Sequence, residues 1–170
     1  MSTLRVDKIL GESGAERRGL MTYAIICDQK ALNGQGGTFT KDVWQTRELN
    51  TTIADPDNIV SIANDQFTLQ AGSYFIEARA PAYAVDSHRL RLYNATDSSE
   101  VQLGVNAYSR EATSDLGYSD AFLYARVTIT SATAFEIQHR STQTRVTNGF
   151  GAVTGMGVEI YTTVKIFKEA

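Results

Sequence analysis

Residues 72–83, GSYFIEARAPAY, set Tyr74, Ile76, Ala78 and Ala80 at every second position and place Phe75, Glu77 and Arg79 between them. Strand side chains alternate between faces, so this two-residue period commits the segment to a β-strand with one apolar face. The period recurs along the chain. Leu90 and Leu92 alternate with Arg89, Arg91 and Tyr93, and Leu123, Ala125, Val127 and Ile129 alternate with Phe122, Tyr124 and Arg126. In the last segment Val158, Ile160, Val164 and Ile166 form one row, interrupted by Thr162, against Glu159, Tyr161, Thr163, Lys165 and Phe167. No apolar 3.6-residue period persists for three turns, and clusters of Gly, Asn, Asp and Ser punctuate the segments. The pattern predicts an all-β chain of roughly eight to ten strands with the turn spacing of a sandwich or jelly roll. It also predicts a hairpin near Gly72, a second one across Ser131-Ala132, and an alternating row Val101, Leu103, Val105 in a half-buried strand pair.

The second face of these strands carries aromatics. Phe75, Phe122, Tyr124, Tyr161 and Phe167 all fall on the parity opposite the core row. A sandwich hides one face of each sheet, so large aromatics on the reverse face point to association between subunits. Closed symmetry would cover them without leaving an open, fibre-forming edge. A β-bulge is the competing explanation, because one extra residue inverts the parity beyond it.

At 170 residues the chain holds one domain with a real core. The formal net charge of -3 supplies no long-range attraction to phosphate backbones or anionic lipid. Cys27 is the single cysteine, which excludes an intrachain disulfide framework and a zinc site of several thiolates. The first residues lack the long apolar stretch of a secretion signal, and no run reaches the length of a membrane span, so a soluble chain made in a cytoplasm is expected. The triplets Asn50-Thr51-Thr52 and Asn94-Ala95-Thr96 are then ordinary polar turns. Residues 1–21 differ from the rest: Leu4, Val6 and Ile9 alternate with polar groups, and a charged, glycine-containing linker comes next. They read as an extended arm that adds to another subunit or another protein, or as a frayed end, before a domain over 22–170.

Catalytic chemistry finds few convergent groups. His88 and His139 lie on expected strands among arginines and read as surface or interface residues. Asp86-Ser87-His88 has the residue types of a hydrolase triad, but neighbouring strand side chains point to opposite faces and cannot relay a proton. Cys27 after "AII" reads as a small buried hydrophobe. "GFGAVTGMG" at 149–157 misplaces the third glycine of a dinucleotide fingerprint and precedes no helix. "DPDN" at 55–58 lacks the spacing of a calcium loop and reads as an Asx turn. No enzyme activity, cofactor or metal is expected.

The segments "GGTFTKDVWQTRELNT", "IVSIANDQFTLQAGSYFIEARAPAY", "HRLRLYNATD", "FEIQHRS" and "NGFG…GVEIYTTVKIFKEA" together resemble the head domain of tail-fibre and related virion proteins of tailed bacteriophages. That domain is similar to the jelly roll of the C1q and tumour-necrosis-factor superfamily, whose G-x-Y strand start is matched by Gly72, Ser73 and Tyr74. The likeness spans about residues 22 to 170, and "MSTLRVDKIL" is similar to short arms that join such proteins to a larger particle. It implies a homotrimer in which the sheet with the terminal strands faces the three-fold axis, with Phe75, Phe122, Tyr124, Tyr161 and Phe167 near that axis and Tyr74 and Ile76 in the core. It implies no ligand residue.

The resulting expectation is a bacteriophage virion structural protein: a homotrimeric tail-fibre-like head, held to another virion protein through residues 1–20 and contacting a host-surface glycan or protein. The loops expected to make that contact are 33–37, 84–88, 109–117 and 143–155. Nucleic-acid binding and membrane insertion are not expected. A usual fibre has a long shaft that is missing here, so a trimeric capsid decoration or cement protein is the alternative. A glycan depolymerase is the alternative of another class, and it needs two convergent carboxylates.

Overall fold

The computed structural model describes residues 22–112 and 115–169. Among them lie twelve strands and no helix. Five strands form one sheet: β1 (Thr22–Lys30), β3 (Thr51–Ala54), β6 (Gly72–Tyr83), β10 (Tyr118–Ile129) and β12 (Glu159–Lys168). They lie in the order β10-β6-β12-β1-β3, so the first and last described strands are neighbours at its centre. The second sheet contains β2 (Gln45–Thr46), β4 (Val60–Ala63), β5 (Gln66–Leu69), β7 (Asp86–Asn94), β8 (Ser99–Leu103), β9 (Ala107–Ser109) and β11 (Thr133–Ser141). Its path is β4-β5-β11-β7-β8, with β2 paired to β11 and β9 to β7.

The period-2 rows meet between the sheets. Tyr74, Ile76, Ala78 and Ala80 of β6 and Ala121, Leu123, Ala125 and Val127 of β10 are buried against Phe67, Leu69, Leu90, Leu92, Phe135 and Ile137 of the other sheet. One layer supplies many small side chains and the other supplies large ones, which lets the layers interdigitate at interior density.

Three local expectations fail, each for a tertiary reason. The turns at Gly72 and Ser131-Ala132 are corners at which the chain changes sheet: β5 pairs with β4 and β11, whereas β6 pairs with β10 and β12. Likewise β10 lies beside β6 and β11 beside β7. Val101, Leu103 and Val105 are exposed, because β8 is the edge of its sheet and among the described residues nothing covers it.

The third difference concerns the last strand. Cys27 pairs with Thr163 but Gln29 pairs with Ile160, so one residue of β1 opposes two of β12. This bulge inverts the parity. Val164 and Ile166 stay inside, Val158 and Ile160 turn out, and Tyr161 turns into the chain's own interior, where it is 2% exposed. Its hydroxyl donates to the Gly34 carbonyl at 2.7 Å. Its ring lies against Gly151, whose φ of +138° and lack of a side chain are both needed there, since a Cβ would overlap the ring. Gly151→Ala is therefore expected to lower unfolding free energy by about 3 kcal/mol through overpacking and backbone strain. A urea midpoint equal to that of the native protein would contradict this packing.

Candidate functional site

The outward face of the five-stranded sheet is organised in rows set by strand register. One row runs Tyr23, Phe167, Phe75, Arg126 across β1, β12, β6 and β10. The Phe75 and Phe167 rings lie 6.4 Å apart. The next row is Ile25, Lys165, Glu77, Tyr124, and the third places Thr163, Arg79 and Phe122 side by side. Phe75, Phe122 and Tyr124 are 39%, 36% and 49% exposed, and Phe167 is half-buried. The charges among them are paired within the chain: Lys165 with Glu77 at 3.1 Å, Arg79 with Asp120 at 2.8 Å, and Arg126 with Glu169 at 2.6 Å. Four of the five aromatics expected on this face thus reach it. Tyr161 does not: the bulge removes it, and Tyr161 is a core residue of the loop end. Leu4, Val6 and Ile9 lie outside the described residues.

The loops at one end of the sandwich are knitted together. Gly36 N–H donates to Gly151 O, Tyr83 N–H to Gly149 O, Ala84 N–H to Gly117 O, and Gln143 N–H to Val85 O. The four loops singled out in the sequence therefore meet, although Ala84, Val85 and His88 of the segment 84–88 are buried rather than presented. In "DPDN" the Asn58 amide donates to the Asp55 carbonyl at 3.3 Å, and the Asp55 carboxylate reaches further on, accepting from the amides of Ile59 and Val60 rather than from the residue two places on that an Asx turn would use. Among the described residues no three His, Cys, Asp or Glu side chains converge to hold a metal ion.

Beneath the loops lies a polar cluster. Arg47, buried, donates from Nε to Thr162 Oγ1 at 2.8 Å and from Nη2 to Phe150 O at 2.9 Å, and its guanidinium sits 4.1 Å over the Phe150 ring. Phe39, Ala82 and Val85 form a small apolar cluster against which Phe150 packs. His88 and His139, expected at the surface, are buried here, with His88 Nδ1 3.0 Å from His139 Nε2 and His88 Nε2 2.8 Å from Ser119 Oγ. The chain of bonds is consistent when each ring carries its proton on Nε2, so that His139 donates to His88 and His88 donates to Ser119. His139 Nδ1 is then a buried acceptor with no partner. Parity could have revealed these residues. His139 shares the phase of Phe135 and Ile137, His88 that of Leu90 and Leu92, and Arg47 that of Leu49.

No known family's sequence profile matches the chain, and no curated protein matches it by sequence. Its architecture does have solved counterparts. Murine APRIL at pH 8.0 superposes with a TM-score of 0.55 at 6% identity, over 88% of this chain and 99% of that one. The globular domain of zebrafish complement 1qA protein superposes with a TM-score of 0.52 at 15% identity, over 86% and 96%. The fold is a C1q/TNF-like jelly roll. At such identities the likeness carries the fold alone.

The buried cluster has a pH consequence. Burial first, and the Arg47 charge second, push the His88 imidazole down to about 4, and burial holds His139 well below its ordinary value. Burial also lowers Arg47, to about 10, so it remains charged at neutral pH. Above pH 6.5 neither the folded nor the unfolded histidines bind protons. Between about 6.5 and 4 the unfolded chain takes up a proton at His88 that the native state refuses, so stability falls as pH falls. This contribution amounts to about 3 kcal/mol by pH 4. The chain has two histidines in all, so their NMR signals are unambiguous. Neither ring is expected to titrate between pH 8 and 5, and a midpoint near 6.5 for either would refute its burial.

Proposed function

We propose that this chain is a bacteriophage virion structural protein whose described domain is a homotrimeric, tail-fibre-like head, attached through residues 1–21 and contacting a host surface. The carrying observation is the aromatic row Tyr23, Phe167, Phe75 on the outward face of the sheet that holds the first and last described strands. Together with the segments that resemble phage head domains, this supports a face built to be covered. Internal pairing of Lys165, Arg79 and Arg126 supports the same reading. A self-neutralised charge pattern costs less to desolvate against a second copy than unpaired ions do.

The chain also carries a second apolar surface for a neighbouring copy to meet. β10 and β8 are edges of their sheets on one flank, joined where the Val105 amide donates to Phe122 O at 2.7 Å. That flank presents Val101, Leu103, Tyr118, Phe122 and Tyr124. Packing the flank of one copy on the aromatic face of the next is a heterologous contact, and a three-fold rotation closes it into a ring. The second sheet then remains outward for contact with a host.

Each aromatic fully covered in this way contributes roughly 1.5 to 3 kcal/mol per copy. Phe75→Asp and Phe167→Asp are expected to shift the protein from trimer to monomer in analytical ultracentrifugation while leaving strand content unchanged, because both side chains lie outside the core. Tyr161→Asp is expected to disrupt the single chain instead. A monomeric native protein would defeat the assembly proposal. On phage particles, antibody labelling is expected at the tail, and labelling over the capsid shell would replace the fibre reading by the decoration reading.

A further inference from the structure

On the second sheet, where β7, β9 and β11 meet the segment entering β2, lies a cleft of about 460 Å³ lined by Trp44, Arg89, Arg140 and Asp42, with Asn106 and Thr142 also lining it. Its charge is unbalanced by the register of the sheet. Arg89 and Arg140 are direct cross-strand partners in the β7–β11 pairing. Like charges in that position repel unless an anion lies with them. The carboxylate nearby is Asp42, 3.6 Å from Arg140 and, like it, largely exposed. Arg89 is aimed by its Nε, which donates to Gly104 O at 2.9 Å, and among the described residues it has no carboxylate within ion-pair reach. Elsewhere on the surface Arg79, Arg91, Arg110 and Arg126 each pair with a carboxylate at 3.2 Å or less. Trp44 is held in place by the Arg91 guanidinium, 4.4 Å over its ring.

We infer that this cleft binds an acidic saccharide, with the guanidinia of Arg89 and Arg140 on a sugar carboxylate and the Trp44 indole against the apolar face of the sugar ring. Two opposed guanidinia satisfy a planar carboxylate by charge-assisted, paired hydrogen bonds. An indole beside amide and hydroxyl groups suits a ligand that is apolar on its ring face and hydroxylated at its rim. The volume falls within the range of small-molecule sites, enough for a sugar or a short terminal segment and too small for a folded partner. This assignment rests on the host-contact reading, and it names the chemistry of the surface that would be met.

Trp44 is the only tryptophan in the chain, so its fluorescence reports on the cleft directly. The full-length protein is titrated with trigalacturonate, with its fully methyl-esterified form, and with N-acetylneuraminic acid. A saturable change in emission is expected with at least one of the acids, with tenfold or weaker affinity for the ester and a tenfold or greater loss of affinity in both Arg89→Gln and Arg140→Gln at unchanged melting temperature. A flat titration with both acids, an equal response to the ester, or affinity unaltered by both substitutions overturns the assignment. Competition with phage adsorption separates the two readings. If purified protein blocks adsorption while both titrations are flat, the cleft falls and host contact stands; if an acid binds but adsorption is unaffected, host contact falls and the cleft stands.

Discussion

A guanidinium buried without a carboxylate against it sets the terms for the loop end of this jelly roll. Arg47 reaches Thr162 on one sheet's last strand and the Phe150 carbonyl of a loop, so it ties parts of the chain that are distant in sequence. A buried charge left without these acceptors would cost several kcal/mol. The bulge in β12 meets the same requirement in space: it turns both Tyr161 and Thr162 inward, one to close over the Gly34 carbonyl and the other to accept from Arg47. The neighbouring His88 and His139 then stay neutral, because burial and the Arg47 charge outweigh the opposing pull of Asp120 on His88. One residue therefore joins the two sheets to the loop at Phe150, and its charge adds to burial in keeping the native histidines neutral.

The two sheets divide the surface between them. The five-stranded sheet has apolar rings in register across three strands, with its charges matched in place. The other sheet carries an opposed arginine pair beside a tryptophan, with charge left over. Burial favours the first kind of surface, and a charged small ligand favours the second. In the proposed trimer these roles are compatible, since covering the first sheet leaves the second facing out.

Much of the fold was legible in the residues, and the reason is physical. The alternation of Tyr74, Ile76, Ala78 and Ala80 states which side is buried whatever the strand pairs with, and these four residues are in the core as expected. Phe75, Phe122 and Tyr124 then form its reverse face. Pairing partners were less legible. A tight connection such as Ser131-Ala132 serves equally for a hairpin within one sheet and for a corner between two, because the local turn chemistry is the same. The loop-end cluster was only half legible: the phase of Arg47, His88 and His139 already marks them as inward, yet their polarity argues for the surface until partners are supplied by other strands.

Period-2 patterning by itself determined that this protein is an all-β sandwich with aromatics on a second face, since side-chain alternation is a property of each strand alone. Tertiary structure alone decided that Tyr161 belongs to the interior, that two histidines and an arginine share one buried cluster, and that Arg89 stands opposite Arg140. Those facts depend on register, and register is settled only when strands far apart in sequence pair and a single extra residue in one of them inverts the facing of every side chain beyond it.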